Sequence, residues 1–282
     1  MRKDLHHAPE ECAPASDIIT RMFPAPKKSL GQHFLVDPEL LDRFTRPLEE
    51  MGVAAGTTVV EVGPGRGDLT AALRRRGFRV VALELDRELI PVLQEKFKAD
   101  DGVEFRHADA LRFDYGSLPK PLWLAGNLPY QIATPLMVHI LRSGRDIAGA
   151  VFLLQKEMAA RLLGQPNSKE YAAVTALLQS YWEMKKLFHI GRGRFIPPPR
   201  VDSTLITIRP KRPLLVPFEK FAELEALLRR AFAERRKTLT NNFRTQPEKL
   251  AALKEAGIEP GRRAESLTLE EFAKWLEKCP EA

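Results

Sequence analysis

Cysteine is nearly absent from this chain. Its 282 residues contain two, Cys12 and Cys279, near opposite ends, which excludes a disulfide framework and a cysteine metal site. Six histidines show no ligand spacing with acidic partners, so no metal is expected. No apolar run reaches membrane length, and the N-terminal stretch has no apolar signal-like core. A cytoplasmic protein without membrane contact is the expectation. Also missing is any convincing Ser/His/Asp or Cys/His arrangement, which argues against a covalent enzyme intermediate. No internal repeat is evident.

Positive charge, by contrast, is in excess, with a formal net charge of +7 and a sequence pI near 9.4. It is gathered at Arg74-Arg75-Arg76, Lys185-Lys186, Arg192–Arg194, Arg229-Arg230, Arg235-Arg236-Lys237 and Arg262-Arg263. Each cluster alone reads as a solvated helix face. Together, beside a base-reading pocket, they favour RNA, with affinity that falls steeply as salt rises. Arg235–Lys237 and Arg244 are the first cluster to test. A hydrophobic content of 44% is ample for a core and a second small domain.

Residues 1–26 are polar and proline-bearing and read as a flexible segment, with Lys27 to Leu35 ordering over a ligand. A capped helix starts at Asp37-Pro38. From Thr58 to about Pro210 strands and helices alternate, which predicts an α/β domain over 27–210. Its later strands are expected at Gly149–Leu154, Lys185–Ile190 and Thr204–Ile208, the last two forming an antiparallel hairpin at the sheet edge. A linker around Lys211–Pro217 leads to helices near Phe218–Ala233, Pro247–Ala256 and Leu269–Lys278, a small helical domain over 211–282.

The chemistry is carried by strand ends. Thr57 to Asp68 reads as a β-branched strand, a glycine turn and a helix that Asp68 is placed to cap. Gly63, Gly65 and Gly67 miss the dinucleotide spacing G-x-G-x-x-G by one residue. Glu61 before the turn suits an ammonium or sulfonium better than a diphosphate, so the loop looks like a methyl-donor site and disfavours an NAD-dependent enzyme. The next strand ends at Glu84, where an acid can take both hydroxyls of a ribose. Asp109, followed by Ala110, ends a third strand and can accept an adenine amino group held against Leu85. A fourth strand, Pro121 to Ala125, delivers Gly126 and Asn127. An acid after one strand is ordinarily a helix cap; four recognition residues in successive register at the carboxyl edge argue for a binding site.

Asn127-Leu128-Pro129-Tyr130 fits the exocyclic amine of a flat base. The Asn127 side-chain oxygen and the Leu128 carbonyl can accept both N–H bonds of an adenine N6 and aim its lone pair outward. Pro129 holds the turn open and Tyr130 offers a stacking face. The plain alternative is an ordinary turn after a strand with a half-buried Tyr.

On these residues, with Lys28–Leu35, Phe195-Ile196-Pro197-Pro198-Pro199-Arg200-Val201-Asp202-Ser203 and Arg235-Arg236-Lys237-Thr238-Leu239, the chain resembles the KsgA/RsmA family of ribosomal RNA small-subunit adenine N6,N6-dimethyltransferases. The resemblance runs from Lys27 to the C-terminal helix. It implies a Rossmann-like class I methyltransferase sheet, an S-adenosyl-L-methionine donor, and a likeness to monomeric enzymes acting on 16S rRNA within the 30S subunit. The substrate implied is two adjacent adenosines in a hairpin near the 3′ end of that RNA, with a role in ribosome biogenesis. The donor would lie against Gln32, His33, Leu35, Glu61, Gly63, Gly65, Glu84, Leu85, Asp109, Ala110 and Asn127, with Gln32 closing its methionine end. The target adenosine would sit between Tyr130 and Phe195, held by Asn127 and Leu128. His33, Gln131 and Arg66 depart from the commonest family pattern, and His33 also reads as a local backbone-bonding residue. An Erm-like enzyme acting on 23S rRNA shares the donor loop and the Asn-x-Pro-Tyr signature, but Gly257-Ile258-Glu259-Pro260 and Arg263-Ala264-Glu265 are similar to the small-subunit group. A further alternative is a protein that acts mainly as a ribosome-assembly factor.

Overall fold

The computed structural model describes residues 23–27, 30–129, 131–143 and 147–280. Cys12, residues 1–22 of the segment expected to be flexible, Lys28, Ser29 and Tyr130 lie outside them.

Nine strands are described: β1 (Phe34–Leu35), β2 (Thr58–Val62), β3 (Arg79–Glu84), β4 (Val103–His107), β5 (Leu122–Asn127), β6 (Ile147–Gln155), β7 (Trp182–Ile190), β8 (Phe195–Ile196) and β9 (Ser203–Pro210). Seven of them form one sheet in the order β4-β3-β2-β5-β6-β9-β7. Strands β4 to β6 in that order are mutually parallel, while β9 runs antiparallel to both β6 and β7. The expected edge hairpin is therefore present, with Ile190 opposite Ser203 and Trp182 opposite Pro210.

The sheet carries apolar residues on both faces because successive side chains alternate sides and both sides are covered. Val60, Val81 and Leu124 belong to one buried cluster; Val59, Val80 and Trp123 belong to the other. The second cluster is closed by α1 (Pro38–Glu50), through Leu41, Phe44 and Leu48, and by α2 (Asp68–Arg75), through Leu69, Ala72 and Leu73. Asp37 caps α1 as expected, its carboxylate accepting from the Glu39 and Leu40 amides at 3.0 and 3.2 Å.

Helix α3 (Leu89–Lys96) connects β3 to β4, and α4 (Ala133–Ser143) follows β5. After β6 come α5 (Lys156–Leu162) and α6 (Ala173–Tyr181). The C-terminal part holds α7 (Phe221–Ala231), α8 (Leu239–Asn242), α9 (Pro247–Glu255) and α10 (Leu269–Lys278). Its core joins that of the sheet: one buried cluster runs from Leu124 through Tyr181 and Leu228 to Phe272 and Trp275.

Two local features differ from the sequence reading. Asp68 does not cap α2; Gly67 holds the cap position with φ 78° and no side chain bonds there. A glycine in the left-handed region already turns the chain into the helix, which leaves Asp68 as its first residue, 3.7 Å from the Lys96 amine. The second is the antiparallel pairing of β1 with β8, Phe34 opposite Ile196 and Leu35 opposite Phe195, which ties the N-terminal segment to the proline-rich turn.

Candidate functional site

Strand β2 lies between β3 and β5, so chain crossovers leave it in opposite directions. Open α/β sheets bind ligands in the crevice outside such a switch point. The glycine turn after β2 and Asn127 at the end of β5 meet there, in a cavity of about 290 Å³. Of the residues singled out from the sequence, Gln32, His33, Leu35, Glu61, Gly63, Gly65, Glu84, Leu85, Asp109, Ala110, Asn127 and Leu128 all line it.

The glycine turn is set by backbone. Gly63 and Gly65 take φ 71° and 56°, and the Gly63 amide donates to the Leu83 carbonyl at 3.0 Å. A Cβ on Gly65 would sit 2.7 Å from the Phe34 ring, so glycine lets the N-terminal segment close over the turn.

Four acids line the cavity: Asp68 at the start of α2, and Glu84, Asp109 and Glu61. The Glu84 carboxylate is 5% exposed and accepts from the Gly65 amide at 3.1 Å and the Asp86 amide at 2.9 Å. Burial pushes its pKa up against those bonds. Asp109 accepts from the Leu111 amide at 2.9 Å and lies in the same cavity wall as Leu85, which is 51% exposed. Glu61 has no exposed surface; its Oε2 accepts from the Thr70 hydroxyl at 2.6 Å, and its buried Oε1 has no hydrogen-bond partner. Desolvation drives the Glu61 pKa up to about 8, helped by the charges of Glu84 and Asp68 and opposed by Thr70 and Lys96.

Asn127 donates its Nδ2 to the His33 carbonyl at 2.7 Å. A carbonyl only accepts, so this bond fixes which way the amide points and leaves Oδ1 as the acceptor. Leu128 is buried, its amide donating to the Leu153 carbonyl at 3.1 Å, which anchors the turn to β6. His33 itself bonds through Nδ1 to the Pro197 carbonyl at 2.8 Å, so its backbone-bonding role reaches across the chain instead of staying local.

Gln32 lines the cavity, but both ends of its amide are engaged: Oε1 accepts from the Lys27 amide at 2.8 Å, and Nε2 donates to Asp86 at 3.3 Å. Lys27 Nζ reaches the same Asp86 at 2.7 Å. Burial opposes ionisation of Asp86, yet Lys27, the Glu88 amide and Gln32 outweigh it and hold its carboxyl below the usual range. Lys27 and residues 30–35 are thus held at one end by Asp86, two residues past β3, and at the other by β8, as a strap over the cavity.

Phe195 differs from its expected place. It is 2% exposed, packed with Leu35, Ile190 and Leu205, and is not part of the cavity wall. A ring buried in the core presents no open face to a base, so Phe195 does not offer the stacking surface expected of it. Its neighbour Ile196 is 52% exposed.

Sequence reasoning passed over Thr70, Asp86 and Lys27. Thr70 stands nine residues beyond Glu61, on the turn of helix that faces it, and Asp86 stands two residues past Glu84; both offsets were available as signals. The Lys27–Asp86 pair spans 59 residues and leaves no local trace. Among the described residues no cluster of His, Cys, Asp or Glu could hold a metal ion, and no helix is long and apolar enough to cross a membrane.

Comparison with known proteins matches this arrangement to one family. The chain is 36% identical over 258 residues to a ribosomal RNA small subunit methyltransferase A of Pseudomonas fluorescens, covering 90% of this chain and 93% of that protein. A crystal structure of a dimethyladenosine transferase from Plasmodium falciparum shares the fold with a TM-score of 0.74 at 24% identity, over 86% of this chain and 96% of that one. The crystal structure of the 23S rRNA methyltransferase ErmE shares it with a TM-score of 0.66, again at 24% identity, over 87% and 99%. Residues 25–279 match the ribosomal RNA adenine dimethylase family, and the chain belongs to that family of S-adenosyl-L-methionine-dependent rRNA methyltransferases.

Proposed function

We propose that the protein dimethylates N6 of two adjacent adenosines in a hairpin near the 3′ end of 16S rRNA, within the assembling 30S subunit. The observation that carries this reading is the Asn127 amide, whose donor end is fixed on His33, which leaves Oδ1 as its acceptor end in a cavity wall shared with Leu128 and Pro129. The cavity fits the donor: a buried Glu61 oxygen without a partner for an ammonium, a buried Glu84 for ribose hydroxyls, and Asp109 with Leu85 for an adenine.

S-adenosyl-L-methionine supplies, when bound, a methyl group on a positively charged sulfur. The protein's own part is positioning. Asn127 Oδ1 and the Leu128 carbonyl accept from N6, hold it in orientation and stabilise the positive charge that develops on it. The proton of the alkylated amine then leaves to water, and no side-chain base is required. We assign residues 211–282 to RNA contact, the protein acting as a cytoplasmic monomer.

The test is methyl transfer from labelled donor to unmodified small subunits, large subunits and protein-free RNA, followed by nucleoside mass analysis. Dimethyladenosine confined to small-subunit RNA is expected. Dimethylation of large-subunit RNA alone overturns the substrate assignment in favour of an Erm-like enzyme, and donor binding without any transfer favours an assembly factor. In single turnover at saturating donor, Asn127→Ala is expected to lose about 10²–10³ in rate, as for one preorganised polar group; a rate within threefold of wild type would remove Asn127 from the chemistry.

A further inference from the structure

Glu61 sits on the central strand with Ala82 opposite it on β3 and Ala125 opposite it on β5, two small residues that leave room around its side chain. It shares its face of the sheet with Val59, under α2. Thr70 occupies one carboxyl oxygen; the other is buried and bonds to nothing, on a residue that belongs to the cavity wall. An ionised carboxylate without exposure and with a single neutral hydrogen bond is costly to bury. The surrounding charge does not neutralise it. Glu84 faces it from β3 and Asp68 from α2, with Lys96 of α3 the countercharge, itself shared with Asp68 and depressed by burial; Arg66 lines the cavity from the glycine turn.

We propose that Glu61 selects ligands carrying an ammonium by exchanging a proton for it: neutral while the cavity holds no cation, and a carboxylate once an ammonium donates to Oε1. The proposal rests on the donor assignment above and adds how the amino-acid end of the donor is told from a bare nucleoside. Proton and ammonium compete for one oxygen atom. The O–H bond of the neutral acid breaks and its proton goes to solvent, and the ammonium replaces it, one positive charge for another at Glu61.

With the Glu61 pKa near 8, about nine-tenths of the molecules hold the proton at pH 7. Binding of an ammonium-bearing ligand then releases close to one proton. Below pH 8 its affinity rises about tenfold per pH unit and levels off above, because the unliganded state is the one that binds the extra proton. Glu84, also raised, titrates in the same cavity, so the comparison must hold its partner constant.

The experiment is titration calorimetry of the full chain with S-adenosylhomocysteine and with methylthioadenosine, in two buffers of different ionisation enthalpy. Both ligands carry the adenine and ribose; the first alone carries the ammonium. S-adenosylhomocysteine is expected to release about one proton more than methylthioadenosine at pH 7, a difference that Glu61→Gln abolishes together with most of the preference between them. Equal proton release by the two ligands on the wild-type protein overturns the proposal, whatever the variant does. Failure of both to bind overturns the donor assignment itself, and the proposal with it.

Discussion

A hydrogen atom at Gly126 decides where Asn127 sits. A Cβ there would meet the Val62 carbonyl at 2.8 Å and the Leu128 side chain at 3.1 Å, and the carbonyl belongs to the end of β2, held in its ladder. Gly126→Ala is expected to cost about 1–3 kcal/mol of stability from overpacking, read by chemical denaturation. Its methyl transfer should fall further than that loss explains, since the displaced strand end carries the amide bonded to His33. A variant as stable and as active as wild type would show that the strand end has slack. Glu61 leaves its own signature in stability. Its folded pKa is raised to about 8, so between the ordinary carboxylate range and that value the folded state binds the extra proton and stability falls as pH rises, by about 1.4 kcal/mol per pH unit at most. Glu61→Gln removes a titrating group, and the melting temperature of the unliganded variant should therefore vary less between pH 5 and pH 8 than that of wild type. Equal pH dependence would place the titration elsewhere.

The strap of Lys27 and residues 30–35 is the element on which the cavity depends without supplying its acids. Lys27 and Gln32 converge on Asp86, Asn127 takes the His33 carbonyl, and β1 pairs with β8. Asp86→Asn is expected to weaken donor-analogue binding several-fold and to speed hydrogen exchange over residues 30–35. Glu88→Gln, which alters only the exposed partner of Lys27 at 3.2 Å, should do neither. Unchanged exchange in Asp86→Asn would mean that β1–β8 alone secures the strap. Because the Asp86 carboxyl is held below its ordinary range, the clasp persists through neutral pH and is lost only as pH falls through that lowered value. Elements of this kind also mark where the sequence stops being readable. The strands β2 to β6 and β9 stand out as β-branched or apolar runs between turns, and the acids at their ends follow from position alone. Two-residue strands joined across some 160 positions have no periodicity to detect, so the pairing of Phe34–Leu35 with Phe195–Ile196 was invisible. That same pairing carries Phe195 into the core, and the residue expected on a base became a wall behind Leu35.

Across the whole molecule the excess positive charge separates into groups with different duties. Arg74 is spent inside the fold, bonded to Asp100 at 2.6 Å, and Arg262 is paired with Glu271. In the cluster singled out for RNA, Arg235, Arg236, Lys237 and Arg244 are all exposed, but Arg235 also bonds Glu265 at 2.8 Å and the Ser168 carbonyl at 3.1 Å. Arg235, Arg236, Lys169 and Arg263 line one hollow with Asn167, Ser168 and Glu265. Composition could supply the net charge but not this division, since a basic triplet reads the same whether its first member is structural or not. The division makes a prediction at this scale. Arg236→Ala should bind small-subunit RNA more weakly with an unchanged melting temperature, and its plot of log affinity against log salt should be shallower by about 0.7–0.9, one phosphate contact. Arg235→Ala should lose melting temperature as well, because it releases the 168–169 backbone and Glu265 together. If Arg236→Ala keeps the full salt slope, RNA does not reach this hollow, and the exposed arginines of 192–194, just before β8, become the surface that must carry it.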